Sequence, residues 1–231
     1  MNNFNFKEGE ILLINKPLYW TSFDVVNKIR KLIYEYTGDK TIKVGHAGTL
    51  DPLANGLIII CTGKFTKTID QIQNMPKEYI ATIELGKTTP SFDLETDFNN
   101  YFTINHITTE YIKKTLADFI GISEQLPPIY SAKKVNGKRA YEFARRGKDL
   151  DLLPRKIEIY NIVIEKIDIP FVTFKVLCSK GTYIRALARD IGEKLKSGAY
   201  LKSLCRNAIG HYKLEDAINM DDIKKFFDKC N

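Results

Sequence analysis

Asp51 is the only carboxylate in the run Gly45-His46-Ala47-Gly48-Thr49-Leu50-Asp51-Pro52-Leu53-Ala54-Asn55-Gly56, which holds three glycines in twelve residues. That glycine density argues against a strand or helix interior and for a chain that reaches positive φ and admits close approach of another backbone or a ligand. Pro52 biases Asp51 away from helical angles. Leu57-Ile58-Ile59-Ile60-Cys61 follows as a continuous apolar run, the pattern of a buried strand. A carboxylate with a restricted backbone, set beside a core strand, suits a fixed nucleophile or base. The plainer reading is an Asx-type turn before a strand. A phosphate-cradling loop is disfavoured because no Gly-Lys-Ser/Thr follows. A second chemical signal lies between Lys133 and Lys148, where seven basic residues (Lys133, Lys134, Lys138, Arg139, Arg145, Arg146, Lys148) face one acid, Glu142. Tyr130, Tyr141 and Phe143 are interleaved with them. Cations meet phosphates while bases stack on rings, so the mixture suits single-stranded or looped RNA. A solvated helix with its aromatics turned to a core accounts for it equally well.

The twelve-residue run closely resembles the catalytic loop of the tRNA pseudouridine-55 synthases of the TruB type, G-H-[TSA]-G-[TA]-L-D-P-L-A-x-G. Asn15-Lys16-Pro17 with Thr21-Ser22, Lys77-Glu78-Tyr79, Ser131-Ala132-Lys133 and Ser179-Lys180-Gly181-Thr182-Tyr183-Ile184-Arg185 match the same family. The resemblance extends from about Ile11 to Tyr212. It implies an isomerase that breaks the N1–C1′ bond of a uridine, turns the uracil and rejoins it through C5, without redox change, cofactor or metal. It implies that Asp51 is the nucleophile; attack at C1′, attack on the base and prior proton abstraction all remain open as its first act. It implies further that Arg185 pairs with the catalytic aspartate, where a guanidinium favours and orients a carboxylate. Tyr79 would stack on the target base and take part in proton transfer. His46 would fill the space of the extruded base, Tyr183 and Leu204 would line the uracil pocket, and Asp93 would lie near the active site. Taken without the resemblance, each has a plainer role. Arg185 reads as a surface arginine in a first helical turn, Tyr79, Tyr183 and Leu204 as core, and His46 as a loop histidine.

Those residues need a scaffold. Ile11 to Asn15 reads as a strand. Thr21-x-x-Asp24 is a capping-box pattern for a helix to about Tyr36, with Val25, Val26, Ile29, Leu32 and Ile33 on its apolar face. Gly38 to Lys43 reads as a loop, Lys77 to Thr88 as a strand and Thr89 to Tyr101 as a loop. Thr108 or Thr109 can cap a helix carrying Ile112, Leu116, Phe119 and Ile120, ended by Gly121. Gly137 to Gly147 reads as a short basic helix. Lys156 to Lys180 reads as a hairpin turning near Ile169-Pro170, and Thr182 to Lys196 as a helix stopped at Gly198. Leu201 to Ile209 is ambiguous, and a short amphipathic tail starts at Asp221. Strands in hairpins favour an α+β fold, a mixed and largely antiparallel sheet with flanking helices. The resemblance agrees and adds a thumb-like RNA-binding insertion at about 125–152 within a single catalytic domain, 1–231.

Hydrophobic content of 44% and charged content of 27% are ordinary for a globular chain. A net charge of +7 favours a polyanionic partner. No apolar run approaches a membrane span of about 18 residues, and the polar N-terminus is not a signal peptide. Cys61, Cys178, Cys205 and Cys230 are scattered, which fits reduced thiols in a cytoplasmic protein. His46, His106 and His211 form no metal-ligand pattern. Three positions depart from the family: Tyr19 where glycine is usual, Asn15 where aspartate is usual, and Thr96 where glycine is frequent. Too little chain follows Tyr212 for the RNA-binding PUA domain of many relatives. The expected partner is the T-arm of tRNA, bound by a monomer without guide RNA or membrane. An RNA-binding or RNA-folding protein without turnover is the rival that has no need of Asp51. A nucleoside hydrolase is the other, and it would need a second carboxylate to activate water.

Overall fold

Thr21 and Asp24 exchange hydrogen bonds as the pattern requires: the Thr21 side chain accepts from the Asp24 amide, and the Asp24 carboxylate accepts from the Thr21 amide at 2.8 Å. In the computed structural model, which describes residues 4–130, 134–135, 138–139 and 152–228, this box opens a sixteen-residue helix that closes on Gly38 at φ 71°. In chain order the elements are β1 (Ile11–Lys16), α1 (Ser22–Thr37), β2 (Val44–His46), β3 (Ala54–Thr62), α2 (Ile69–Asn74), β4 (Lys77–Leu85), β5 (Lys87–Thr88) and β6 (Asn100–Tyr101). They continue with α3 (Thr109–Ala117), β7 (Gly121–Gln125), β8 (Lys134–Val135), β9 (Lys138–Arg139), β10 (Arg155–Asp168), β11 (Phe171–Cys178) and α4 (Ile184–Lys194). β12 (Ala199–Ile209), β13 (Tyr212–Lys213), β14 (Ile218–Asn219) and α5 (Ile223–Asp228) complete the described chain.

The residues group into two compact units, 1–79 with 204–231, and 80–203. β4 and β12 are the strands through which the chain leaves the first unit and returns to it. In the first unit the sheet order is β14-β1-β3-β12. β1 runs antiparallel to β3, with Ile14 opposite Ile58, and β12 runs parallel to it, with Leu204 opposite Ala54. β3 is buried on both faces, which is why it reads as an unbroken apolar run. Ile58 and Ile60 join the core of Val25, Ile29 and Ile33 from α1; Leu57, Ile59 and Cys61 join Ile72 and Ile209 on the other face. In the second unit β11 lies between β4 and β10, and β10 pairs antiparallel with both β11 and β7. Parallel and antiparallel neighbours with flanking helices make the fold α+β with a mixed sheet, as expected.

Several local expectations change. The glycine-rich run is strand at both ends: Gly45 and His46 pair with Cys61 and Ile60, and Ala54–Gly56 already belong to β3. Glycine permits extended backbone as readily as turns, so its density did not exclude a short edge pairing. Asn100–Tyr101 is a strand paired with Lys87–Thr88 rather than loop. α3 ends at Ala117, so Phe119 and Ile120 lie beyond the helix. Lys138–Arg139 is strand, paired with Lys134–Val135, where a helix was expected. The rest of that basic helix, Arg145 and Arg146 included, lies outside the described residues, as does Lys133. Leu201 to Ile209 is strand.

Candidate active site

Ser22, the first residue of α1, reaches the glycine-rich loop. Its Oγ accepts from the Leu50 amide at 2.8 Å and donates to the Leu50 carbonyl at 3.0 Å. Two residues on, the Pro52 carbonyl accepts from the Tyr19 amide at 2.7 Å. The Ala47 amide donates to the Ile59 carbonyl, and the Ala54 amide closes a turn on the Asp51 carbonyl at 3.1 Å. The strongest grip comes from Arg206 on β12, 1% exposed. Its Nε donates to the Leu57 carbonyl at 2.7 Å, and its terminal nitrogens donate to the carbonyls of Thr49 and Gly48 at 3.2 and 3.1 Å. Gly56 sits at φ 106°, where a Cβ would lie 2.5 Å from the Arg206 carbonyl. Only glycine lets β3 run this close to β12. The main chain on both sides of Asp51 is thus fixed by side chains from α1 and β12 and by the loop before α1.

That loop is itself tied by Lys16 at the end of β1. Lys16 is fully buried, and its Nζ donates to the carbonyls of Pro17 and Trp20 at 2.9 and 2.7 Å. Burial lowers its pKa to about 8 against the attraction of the Asp51 carboxylate, which raises it. The Arg206 charge also lowers it. His46 is held below its ordinary pKa, first by burial and then by the Arg206 charge, so its ring is neutral at pH 7. Its Nδ1 is buried without a hydrogen-bond partner among the described residues. Tyr79 is buried on β4. Leu204 is buried on β12 opposite Ala54, at the end of the loop.

In the second unit Arg185 is buried in the first turn of α4, not on the surface. A cation there opposes the helix dipole and needs compensation. Asp93 supplies it: its Oδ2 lies 3.6 Å from Arg185 Nε, with both side chains under a tenth exposed. The Ser91 carbonyl accepts from the Arg185 guanidinium at 3.2 Å. Asp93 is positioned in turn by Thr89 and Ser91, whose hydroxyls donate to its carbonyl, and by the Glu95 amide, which donates to its carboxylate at 3.0 Å. Thr96 hydrogen-bonds Ser91. Tyr183 occupies the N-cap position of α4 without a side-chain cap and is half-buried. The Gln125 amide clamps both its main-chain groups, accepting from its N–H at 2.8 Å and donating to its carbonyl at 3.1 Å.

Asp51, His46, Tyr79 and Leu204 therefore fall in the first unit, and Arg185, Asp93 and Tyr183 in the second. In the second unit Arg185 and Asp93 are brought together as an ion pair, and in the first Leu204 lies opposite Ala54 at the end of the Asp51 loop. Sequence reasoning overlooked Arg206, Gln125 and the placement of Lys16. The Lys16-Pro17 match was a signal for Lys16. For Arg206 the only hint was an arginine interrupting an apolar stretch. No group of three or more His, Cys, Asp or Glu is arranged for a metal ion among the described residues. Among those residues no helix is long and apolar enough to cross a membrane.

Comparison with solved structures places the fold first. The chain is similar to one chain of a Cbf5-Nop10-Gar1 complex, with a TM-score of 0.72 and 27% identity over 96% of this chain and 55% of that one. It is similar to a chain of an H/ACA RNP bound to a substrate RNA containing 2′-deoxyuridine, with a TM-score of 0.70 and 25% identity over 96% and 54%. It spans about half the length of both. The model of the TruB family pseudouridylate synthase N-terminal domain matches residues 33–184. The chain is 54% identical over 225 residues to the tRNA pseudouridine synthase B of Phocaeicola vulgatus, covering 97% of this chain and 96% of that protein. To the tRNA pseudouridine synthase B of Chlorobaculum tepidum it is 46% identical over 218 residues, covering 94% and 90%. The chain belongs to the TruB family of pseudouridylate synthases.

Proposed function

We propose that this chain isomerises uridine 55 in the T-loop of tRNA to pseudouridine, with Asp51 as the nucleophile. The observation that carries the reading is the Asp51 loop itself: a family-matching carboxylate whose preceding carbonyls, Gly48 and Thr49, are fixed by Arg206. Preorganised main chain holds the reacting group without reorganisation during the reaction. Breaking N1–C1′ and forming C5–C1′ conserves atoms, with the C5 proton lost and N1 gaining one. Arg185 pairs with the carboxylate in the substrate complex and Asp93 orients Arg185. Tyr79 stacks on the uracil, and Tyr183 and Leu204 belong to the uracil pocket. Neutral His46 fills the space of the extruded uridine; an uncharged ring can enter a base stack at little desolvation cost. Extrusion costs a few kcal/mol, and Lys133, Lys134, Lys138, Arg139, Arg145 and Arg146 offset it through phosphate contacts in the insertion at about 125–152. The enzyme works as a cytoplasmic monomer, without guide RNA or cofactor, on the T-arm of tRNA.

The test is incubation with unmodified tRNA followed by mapping of pseudouridine at nucleotide resolution. Product at position 55 from the native chain, reduced on the order of a thousandfold or more by Asp51→Asn at affinity within a few-fold, is expected. No product with tight binding retained would instead make the chain an RNA-binding or RNA-folding protein.

A further inference from the structure

Tyr19 stands between Lys16 and the helix that grips the Asp51 loop, and its placement is unusual in two ways. Its φ is 67°, in the left-handed region that a residue with a bulky side chain rarely occupies. Its side chain is 78% exposed, so no core packing requires an aromatic there. A strained backbone persists where the surroundings enforce it. Here they do: Lys16 Nζ ties the carbonyls of Pro17 and Trp20, the Tyr19 amide donates to Pro52, and Ser22 locks Leu50. The mount is rigid, it ends one residue from Asp51, and it turns the ring to solvent.

We propose that Tyr19 is a substrate-contacting, specificity-determining residue whose ring stacks on an unpaired base of the RNA loop presented to Asp51. The proposal rests on the uridine-isomerising reading above. Extruding one nucleotide of a loop unstacks its neighbours, and an exposed aromatic on a fixed backbone replaces the lost stacking at little entropic cost. Leu18 and Phe23, 46% and 60% exposed, extend the apolar surface on either side.

The local conformation supplies a clean test. Tyr19→Gly relieves the left-handed strain while removing the ring, so a structural role and a binding role predict opposite signs. The wild type, Tyr19→Gly, Tyr19→Asn and Tyr19→Phe are compared by thermal unfolding, by affinity for a T-arm stem-loop and by single-turnover product at saturating enzyme. Asparagine also tolerates left-handed backbone and serves if the glycine variant folds poorly. Unfolding midpoints unchanged or raised for Tyr19→Gly are expected. Affinity should fall by about fivefold or more for the glycine and asparagine variants and stay within about twofold for Tyr19→Phe. Wild-type affinity in both Tyr19→Gly and Tyr19→Asn would overturn the proposal. So would loss of self-association with RNA affinity unchanged, which would assign the ring to a protein contact. A wild type that binds the stem-loop but forms no pseudouridine would sink the isomerase reading alone, since the affinity comparison still decides Tyr19.

Discussion

The Asp51 loop and the Arg185 cluster are both fixed by buried cations, but the cations are satisfied in different ways. In the first unit Lys16 and Arg206 donate to main-chain carbonyls of Pro17, Trp20, Gly48, Thr49 and Leu57. In the second, buried Arg185 lies against the Asp93 carboxylate, and elsewhere in that unit buried Glu84 takes the more exposed Lys87 at 2.9 Å and Lys202 at 3.2 Å, and the Tyr200 hydroxyl. A cation bound by neutral carbonyls keeps its full charge, whereas an ion pair largely cancels its own. The first unit thus offers positive potential to Asp51 and shapes the loop with the same side chains. The second orients a guanidinium and lowers its net field. One region is built to hold backbone and the other to aim a side chain, so replacing the buried cation should act on stability in the first and on rate in the second.

The largest effect should come from Arg206→Met. Methionine has similar reach but no donor, and the carbonyls of Gly48 and Thr49 before Asp51 and of Leu57 on β3 would lose a charged partner in the interior. A loss of about 3–5 kcal/mol is expected, since each buried acceptor left unsatisfied costs about 1–3 kcal/mol. Urea unfolding reads it as a lower midpoint at unchanged slope. A loss below about 1 kcal/mol would mean that Ser22 and the β2–β3 pairing suffice to hold the loop.

Arg185→Lys should act on the other region and through rate. An ammonium cannot present the planar fork with which Arg185 meets both Asp93 and the Ser91 carbonyl. A fall in single-turnover rate of about a hundredfold, or about 2.7 kcal/mol, is expected with a smaller change in RNA affinity. Near wild-type rates would reduce Arg185 to a structural cation and erase the contrast.

The contrast also marks what could be read from the sequence. The capping box of Thr21 and Asp24, the helix it starts, the strand at Leu57–Cys61 and the hairpin turned at Ile169-Pro170 are local patterns, and each formed where expected. Arg206 was not legible because its acceptors lie far away in the chain: Leu57 is 149 residues off, Gly48 158. Nothing near Arg206 signals that β12 runs parallel to β3, and its own interruption of the apolar pattern hid the strand. Lys16 could be matched by resemblance, but its burial follows from the loop folding back over it. Departures from the family were informative in their own way. Tyr19 adopts a positive φ, the conformation that glycine reaches most readily.

The smallest expected effect is the most specific to carbonyl-bound cations, and it is read in pH. Lys16 has an ordinary pKa of 10.5 and one lowered by burial to about 8 in the folded chain. Between those values the unfolded chain holds more protons than the folded one, so stability rises with pH across that window. Below about 8 the residue is charged in both states, and its full burial penalty is present. Above 10.5 it is neutral in both and the penalty is gone. One pKa unit corresponds to about 1.4 kcal/mol. The shift from 10.5 to about 8 therefore corresponds to about 3.4 kcal/mol in full, and to about 2.5 kcal/mol between those two pH values because the residue is half-titrated at each end. Lys16→Met has no such titration, and groups common to both proteins cancel in the difference. The wild type should therefore gain on Lys16→Met by about 2.5 kcal/mol as the pH rises from 8 to 10.5 in parallel urea titrations. A flat difference would show that the two carbonyls repay the burial completely. A difference of opposite sign would mean that Lys16 is held by a carboxylate after all, in the manner of Arg185.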